Sequence, residues 1–361
     1  MRSWVEISRS RLRENYRAVR ALVGEGVEVM PVVKADAYRH GAVEVSRVLE
    51  AEGARWLAVS NVEEGVVLRQ AGIAARILVM ADFLAAERAA LEEFRLTPVI
   101  HTLADLRQVQ VPYHLKVDTG MGRLGTRASV EEIVAAVQIA GAPLEGLMTH
   151  FASAANYESR QTDEQIARFT QVADALKAAG LGPRYLHQAS SIPVAYRREG
   201  AWGNLVRPGH AIYGYVSPAR GPAVRALEVK PALTWKATVL AVKDIEAGDP
   251  IGYGAMHRAA RLTRIAVLAA GYADGIPHRL SNRGKVIVQG QLAPIIGAVS
   301  MDLTTIDVTA CAGVKAGDKV TLLGSEGGVS IDAQQIARWA GTISYGVLCG
   351  ISARVKRIYV E

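Results

Sequence analysis

Between about residue 27 and residue 210 the chain repeats a single alternation: a short apolar run rich in β-branched residues, then a longer stretch whose apolar residues return at helical spacing. The runs fall at 27–33, 56–59, 76–80, 97–101, 113–117, 146–150, 185–189 and 205–208. Helical spacing is clearest at 129–140 and 159–179. Runs that are apolar on both faces suit strands covered on both sides, the condition of a parallel sheet. About eight such units in succession predict an α/β chain with a (β/α)8 TIM-type barrel, with a doubly wound open sheet as the alternative.

After Gly221-Pro222 the texture changes to strands divided by Gly, Asp and Pro turns, at 234–242, 264–268, 285–289, 303–308 and 319–323. Only 332–340 reads as a helix there, with Asp332 as its N-cap. At 361 residues the chain exceeds one compact domain. The expected division is a barrel over 12–220 and a C-terminal, mostly β domain over 221–361, joined by residues 1–11.

Composition narrows the function classes. The net charge of +7 is spread along the chain with only short clusters such as Arg197-Arg198, so it makes no arm or stripe for nucleic acid. A diffuse positive field instead favours small anions such as phosphates and carboxylates. The two cysteines, Cys311 and Cys349, make no disulfide framework and have no metal-ligand spacing, so they read as ordinary buried residues and no metal is expected. Near its start the chain carries Trp4, Glu6 and arginines rather than an apolar signal core, and no stretch reaches membrane-spanning length. The expectation is a cytoplasmic enzyme without membrane or nucleic-acid partners.

In such barrels the active residues sit at the carboxyl ends of the strands. Lys34, Ser60, His101, Lys116 with Asp118, His150, Ser190 with Ser191, and Arg207 all fall there. Ser60 and His101 read as structural hydrogen-bonders. Lys34 ends the first apolar run, where a partly desolvated amine can attack a carbonyl to form a Schiff base; the plainer reading is a lysine emerging into solvent. Arg207-Pro208-Gly209-His210-Ala211 follows the last strand, where barrels often bind phosphate on backbone N–H groups, and Ser191 and Tyr38 complete a candidate cup. A Schiff-base lysine facing a phosphate cup suggests pyridoxal 5'-phosphate. A Schiff-base aldolase acting on a sugar phosphate is the alternative.

These residues resemble the alanine racemase family of fold-type III pyridoxal-phosphate enzymes. Val32-Val33-Lys34-Ala35-Asp36-Ala37-Tyr38 with His40-Gly41 is similar to its cofactor-lysine motif. Lys116-Val117-Asp118-Thr119-Gly120-Met121-Gly122-Arg123-Leu124-Gly125, Thr149-His150-Phe151-Ala152 and Arg207-Pro208-Gly209 follow in the family's order. The second domain adds Gly252-Tyr253-Gly254-Ala255, Gly271-Tyr272-Ala273-Asp274-Gly275, Ser300-Met301-Asp302 and Thr342-Ile343-Ser344-Tyr345. The resemblance covers nearly the whole chain.

It implies racemisation of alanine, supplying D-alanine for peptidoglycan, on pyridoxal 5'-phosphate held as a Schiff base by Lys34. Racemisation removes an α-proton and returns one to the opposite face, which calls for a base on each side. Lys34 is then the base for the D-enantiomer and Tyr253 the base for the L-enantiomer, with His150 and Arg207 as candidates to stabilise the phenolate. Arg207 faces the pyridine nitrogen and, as a donor that stays charged, keeps it unprotonated. Arg123, held by Lys116, and the N–H of Met301 bind the substrate carboxylate; in many members that lysine is carbamylated. Tyr38, Ser191, Gly209, His210 and Tyr345 match phosphate contacts, the glycine and histidine through their amides. Tyr272 and Asp302 match the substrate entrance. Tyr253 comes from a partner subunit, which implies an obligate head-to-tail homodimer with shared sites.

Three departures stand beside the cofactor. Arg39 replaces the usual glycine, the 190–193 stretch differs from the usual Asn-Ser followed by small residues, and His210 replaces an apolar residue. They keep open a serine or broad-specificity racemase. A non-catalytic pyridoxal-phosphate-carrying barrel is disfavoured by the second domain, and a related decarboxylase by the basic Arg207.

Overall fold

The computed structural model describes residues 1–81 and 83–361. It divides into two compact units: Ser10–Ala37 with Ala42–Lys230, and Met1–Arg9 with Tyr38–Gly41 and Pro231–Glu361. No helix among the described residues is long and apolar enough to cross a membrane.

The first unit is a barrel. Trp56–Val59, Arg76–Val79, Leu96–Ile100, Tyr113–Lys116, Leu144–Met148 and Tyr185–His187 pair in that order, each parallel to the next. Glu28–Val29 pairs with Leu205–Val206. A parallel bridge from Val32 to Ala58 joins this pair to one side of the six, and the Arg207 N–H to Ala189 O bond of 2.9 Å joins it to the other. Every residue of Trp56–Val59 and Tyr113–Lys116 is buried, as strands covered on both faces require. Leu115 and Leu147 pack against Ile133 and Val137 of the helix Val130–Gln138 and against Phe169, Val172 and Leu176 of Gln161–Ala178. Ser129 and Glu132 close a capping box that starts the first of these helices.

The barrel's end strands are shorter than the apolar runs predict. Residues 27–33 keep only Glu28–Val29 and the Val32 bridge, and 205–208 keep only Leu205–Val206. Pro31 and Pro208 carry no N–H for a ladder.

After Val33 the chain makes a left-handed helical turn: Ala35, Asp36, Ala37, Tyr38 and Arg39 all have φ between 52° and 66°. Left-handed backbone costs an L-residue roughly 1–2 kcal/mol, so it normally occurs one residue at a time. Anchors hold each end here. The Ala35 N–H donates to Glu64 Oε1 at 2.6 Å, the Ala37 N–H to Val33 O at 2.8 Å, and the Ala42 N–H to Asp36 Oδ1 at 2.8 Å. In the other unit, Arg357 Nε donates to Arg39 O and the Tyr359 hydroxyl to His40 O, each at 3.2 Å. Gly41, at φ 87°, leaves no room for a side chain, since a Cβ would lie 1.8 Å from the Tyr359 oxygen.

The second unit is built on a sheet of nine strands among the described residues. Ser3–Ser8 lies inside it, antiparallel to Leu233–Ile245 and parallel to Lys356–Val360. The sheet holds strands that the sequence pattern does not mark, namely Gln291–Pro294, Val329–Ile331 and Lys356–Val360. The reading of a single helix needs correction. Ala333–Ala340 is capped by the Asp332 side chain, but Ser344–Gly350 is a second helix. Gly346, Gly350 and the absence of a side-chain cap at Ile343 hide it from pattern reading.

Candidate active site

In the barrel unit the ionisable residues marked by the sequence do converge. Lys34 is half-buried at the end of the first strand. Glu64, which sequence reasoning passed over, ties together the ends of the first two barrel strands, accepting from the Ala35 N–H and, at 2.7 Å, from the Ser60 N–H. Lys116 ends the fifth strand almost fully buried. Burial, then the charges of Arg123, Arg207 and Lys34, lower its pKa to about 8 against the opposing pull of Asp118. Burial and the same cationic neighbours lower His150 to about 3, which keeps the imidazole neutral. A mouth crowded with cations around a neutral histidine is suited to anions.

Arg207 is buried, and burial lowers its pKa to about 9, so the guanidinium stays charged at neutral pH. Nη1 donates to His187 Nδ1 at 2.9 Å and to His187 O at 2.7 Å. Nη2 donates to Thr149 O at 2.7 Å and Gln188 O at 3.2 Å, with His150 Nδ1 at 3.4 Å. The terminal N–H groups are thus committed to the barrel, and Nε–H is the donor left for a ligand.

Ser191 Oγ accepts from the N–H groups of Gly209 at 3.0 Å and Ala211 at 3.1 Å. The Gly209 amide therefore serves the serine, where the sequence reading aims it at a phosphate. His210 is buried and its ring stacks on Tyr215, with centroids 5.0 Å apart. The Tyr213 hydroxyl donates to Val32 O at 2.9 Å, tying this loop to the strand that leads to Lys34.

Asp118 shapes the loop that carries Arg123. Its carboxylate accepts from the N–H groups of Gly120, Met121 and Gly122 at 2.8–3.2 Å and from Arg127 Nε at 2.7 Å. Burial alone would raise its pKa, but these donors bring it to about 2. A carboxylate lowered from 3.8 stabilises the fold above its unfolded value and loses that contribution as pH falls through the folded one. Asp118→Asn is therefore expected to lower stability by about 1–2 kcal/mol at neutral pH, with the gap closing between pH ~4 and ~2. Urea midpoints measured across that range check it; a gap that persists at the acid end would refute the account.

The β unit carries the remaining candidates. Tyr253 sits between Gly252 and Gly254, both at positive φ, and is 76% exposed. Met301 is 54% exposed at the tip of a tight turn closed by the Ser300 N–H to Leu303 O bond. The N–H groups of Tyr272 and Ala273 donate to the carbonyls of Ser300 and Met301, which fixes that tip against the 271–275 loop. Arg354, unmarked by any sequence signal, binds both Asp274 oxygens at 2.8 Å and Asp302 at 2.7 Å. The rings of Tyr38 and Tyr345 lie 6.0 Å apart within this unit. Among the described residues no group of three or more His, Cys, Asp or Glu is placed to hold a metal ion.

Comparison with known proteins agrees with these observations. Family models described as the N-terminal and C-terminal domains of alanine racemase match residues 7–218 and 232–359. An alanine racemase of Halothermothrix orenii is 39% identical, over 99% of this chain and 96% of the relative. The structure of an alanine racemase from Bacillus anthracis with bound L-Ala-P superposes with a TM-score of 0.91 at 32% identity, covering 99% of this chain and 95% of that one. An alanine racemase from Bartonella henselae with covalently bound pyridoxal phosphate gives 0.89 at 26% identity, with both chains fully covered.

Proposed function

This chain belongs to the alanine racemase family, and from that premise we propose that it interconverts L-alanine and D-alanine on pyridoxal 5'-phosphate, supplying D-alanine for peptidoglycan. The observation that carries this reading is the gathering of the half-buried Lys34 with Lys116, Arg123 and Arg207 around a neutral His150 at one barrel mouth. The donor set fits the cofactor: an amine for its aldehyde, a charged Nε–H for its ring nitrogen, and a hydroxyl for its phosphate. Both lone pairs of Ser191 Oγ receive backbone N–H groups, so its own O–H is free to turn to a phosphate oxygen.

Pyridoxal phosphate, when bound, draws electron density from the α-carbon of the substrate and so acidifies its proton. The protein supplies the rest. Lys34 Nζ takes or returns the α-proton on one face and serves the D-enantiomer. The Tyr253 hydroxyl does so on the other and serves the L-enantiomer, two bases being the minimum for inversion. Arg123, steadied by Lys116 and by the loop that Asp118 organises, binds the substrate carboxylate together with the Met301 N–H. Arg207 would offer its Nε–H to the ring nitrogen and, because it cannot accept a hydrogen bond, would leave that nitrogen unprotonated. Tyr38, Tyr345 and the His210 backbone amide are the further phosphate contacts, the Gly209 amide acting through Ser191, and Tyr272 and Asp302 border the entrance.

The exposure of Tyr253 and Met301 supports the quaternary part of the proposal. Both lie open in their own subunit, with little packed around them to orient a substrate, so these residues are expected to act in the site of a partner subunit, in a two-fold homodimer with composite sites. The barrel over 12–220 is then the cofactor-binding domain, and 221–361 with the first eleven residues is the domain that donates Tyr253. A cytoplasmic location follows the same reading.

L-Alanine incubated with the protein in deuterated water is expected to lose optical activity and gain α-deuterium together. Absence of exchange, or exchange with release of carbon dioxide, would sink the racemase reading, and repetition with serine defines side-chain specificity.

A further inference from the structure

The barrel interior holds a polar chain that the proposed reaction does not use. TIM barrels usually fill this space with branched apolar side chains. Here His187, at the end of the seventh strand, and His114, on the fifth, are both fully buried, with His187 Nε2 2.7 Å from His114 Nδ1. His187 Nδ1 meets Arg207, and His114 Nε2 lies 4.0 Å from Glu145 Oε2 on the sixth strand. Glu145 is clamped at both oxygens by Arg76, at 2.6 Å each, and Arg76 lies over the Trp56 ring at 4.0 Å. The backbone makes room for this chain. A Cβ on Gly146 would fall 2.4–2.5 Å from three atoms of the His114 ring, so glycine at that strand position is what seats the imidazole.

The proton positions follow from one fact: arginine donates and never accepts. His187 Nδ1 is therefore the acceptor and its hydrogen is on Nε2. That hydrogen is given to His114 Nδ1, which places the His114 hydrogen on Nε2, facing the carboxylate. Burial first, and then the charges of Arg76 and Arg207, lower His114 to about 3; burial, with Arg207 and His114, holds His187 well below the usual histidine range. Both imidazoles are neutral, and each carries its hydrogen on the nitrogen farther along the chain from Arg207.

We propose that His187 and His114 are positioning residues: Arg207 donates to His187 and His187 to His114, a two-bond chain that ends with His114 Nε2 facing Glu145 at 4.0 Å and holds the guanidinium in one orientation, with Nε–H left for the cofactor's ring nitrogen. The proposal rests on the reading of Arg207 given above. The neutral His187 imidazole, its tautomer fixed by His114, accepts from Nη1 without neutralising the buried cation, which a carboxylate in the same place would do.

Long-range 1H–15N spectra of the holoenzyme labelled at histidine are the direct test. They are expected to show both imidazoles as Nε2–H tautomers that do not titrate across neutral pH. A hydrogen on His187 Nδ1, or titration of either ring near ~6.5, would overturn the chain. His114→Leu, which does not touch Arg207, is expected to lower kcat about tenfold with KM changed less than about threefold, and to shift the visible absorption of the bound cofactor. His114→Gln, able to accept and to donate, is expected to recover most of both. Unchanged kcat and absorption in His114→Leu would also overturn the proposal. If that variant fails to fold, the tautomers of the unaltered protein decide. Nε2–H tautomers without racemisation would count against the proposed activity, and racemisation with other tautomers against the chain.

Discussion

Tyr253→Phe is expected to lower racemisation in both directions by about 10²–10⁴-fold, the range that a positioned acid–base group contributes, while the protein keeps its cofactor and its fold. The loss is symmetric because a proton leaving one face must be replaced on the other. Retention of fold follows from position. A ring 76% exposed between two glycines packs little in its own subunit, so removing the hydroxyl should move stability by no more than about 0.5 kcal/mol. Rates in each direction, the visible absorption of the cofactor and a thermal melt make the measurement. Loss of the cofactor in step with activity would show that the residue holds it rather than moves a proton.

Lys34→Ala is expected to be more severe, with racemisation lost by at least about 10⁴-fold, because one amine serves both as the cofactor's covalent anchor and as a base. The two roles separate experimentally. The variant should release pyridoxal phosphate on dialysis while the unaltered protein retains it, and an added small amine should restore part of the proton transfer without restoring retention. Stability should change little, since the side chain is only half-buried. A variant that keeps the cofactor through dialysis would mean that another group anchors it.

Much of this was legible in the chain because period and position carry physical meaning. The eight apolar runs mark the barrel strands, and the polar residues at or just past the ends of seven of them fall at the carboxyl-end face by topology alone. The ends of elements were less legible. Pro31 and Pro208 shorten two strands, and Ser344–Gly350 folds as a helix despite its glycines because tertiary packing outweighs propensity. The left-handed turn at 35–39 had no local signal beyond Gly41, since alanine and tyrosine prefer other conformations; its anchors lie at Glu64, Arg357 and Tyr359, far along the sequence. Glu64, Arg354, His114 and His187 were missed for the same reason. Nothing near them in sequence shows that a carboxylate will hold a turn or that two imidazoles will meet inside a barrel.

The strand Ser3–Ser8 imposes a schedule on biosynthesis. One neighbour, Leu233–Ile245, emerges from the ribosome more than two hundred residues later, and the other, Lys356–Val360, about three hundred and fifty later. At roughly 5–20 residues per second the segment waits on the order of 20–70 s for its second partner. Throughout that interval Trp4, Val5 and Ile7, all buried in the finished sheet, are exposed on the nascent chain. The barrel can fold as it is translated, whereas the sheet cannot close until its earliest and latest strands meet, so chaperone demand should concentrate on the first eight residues.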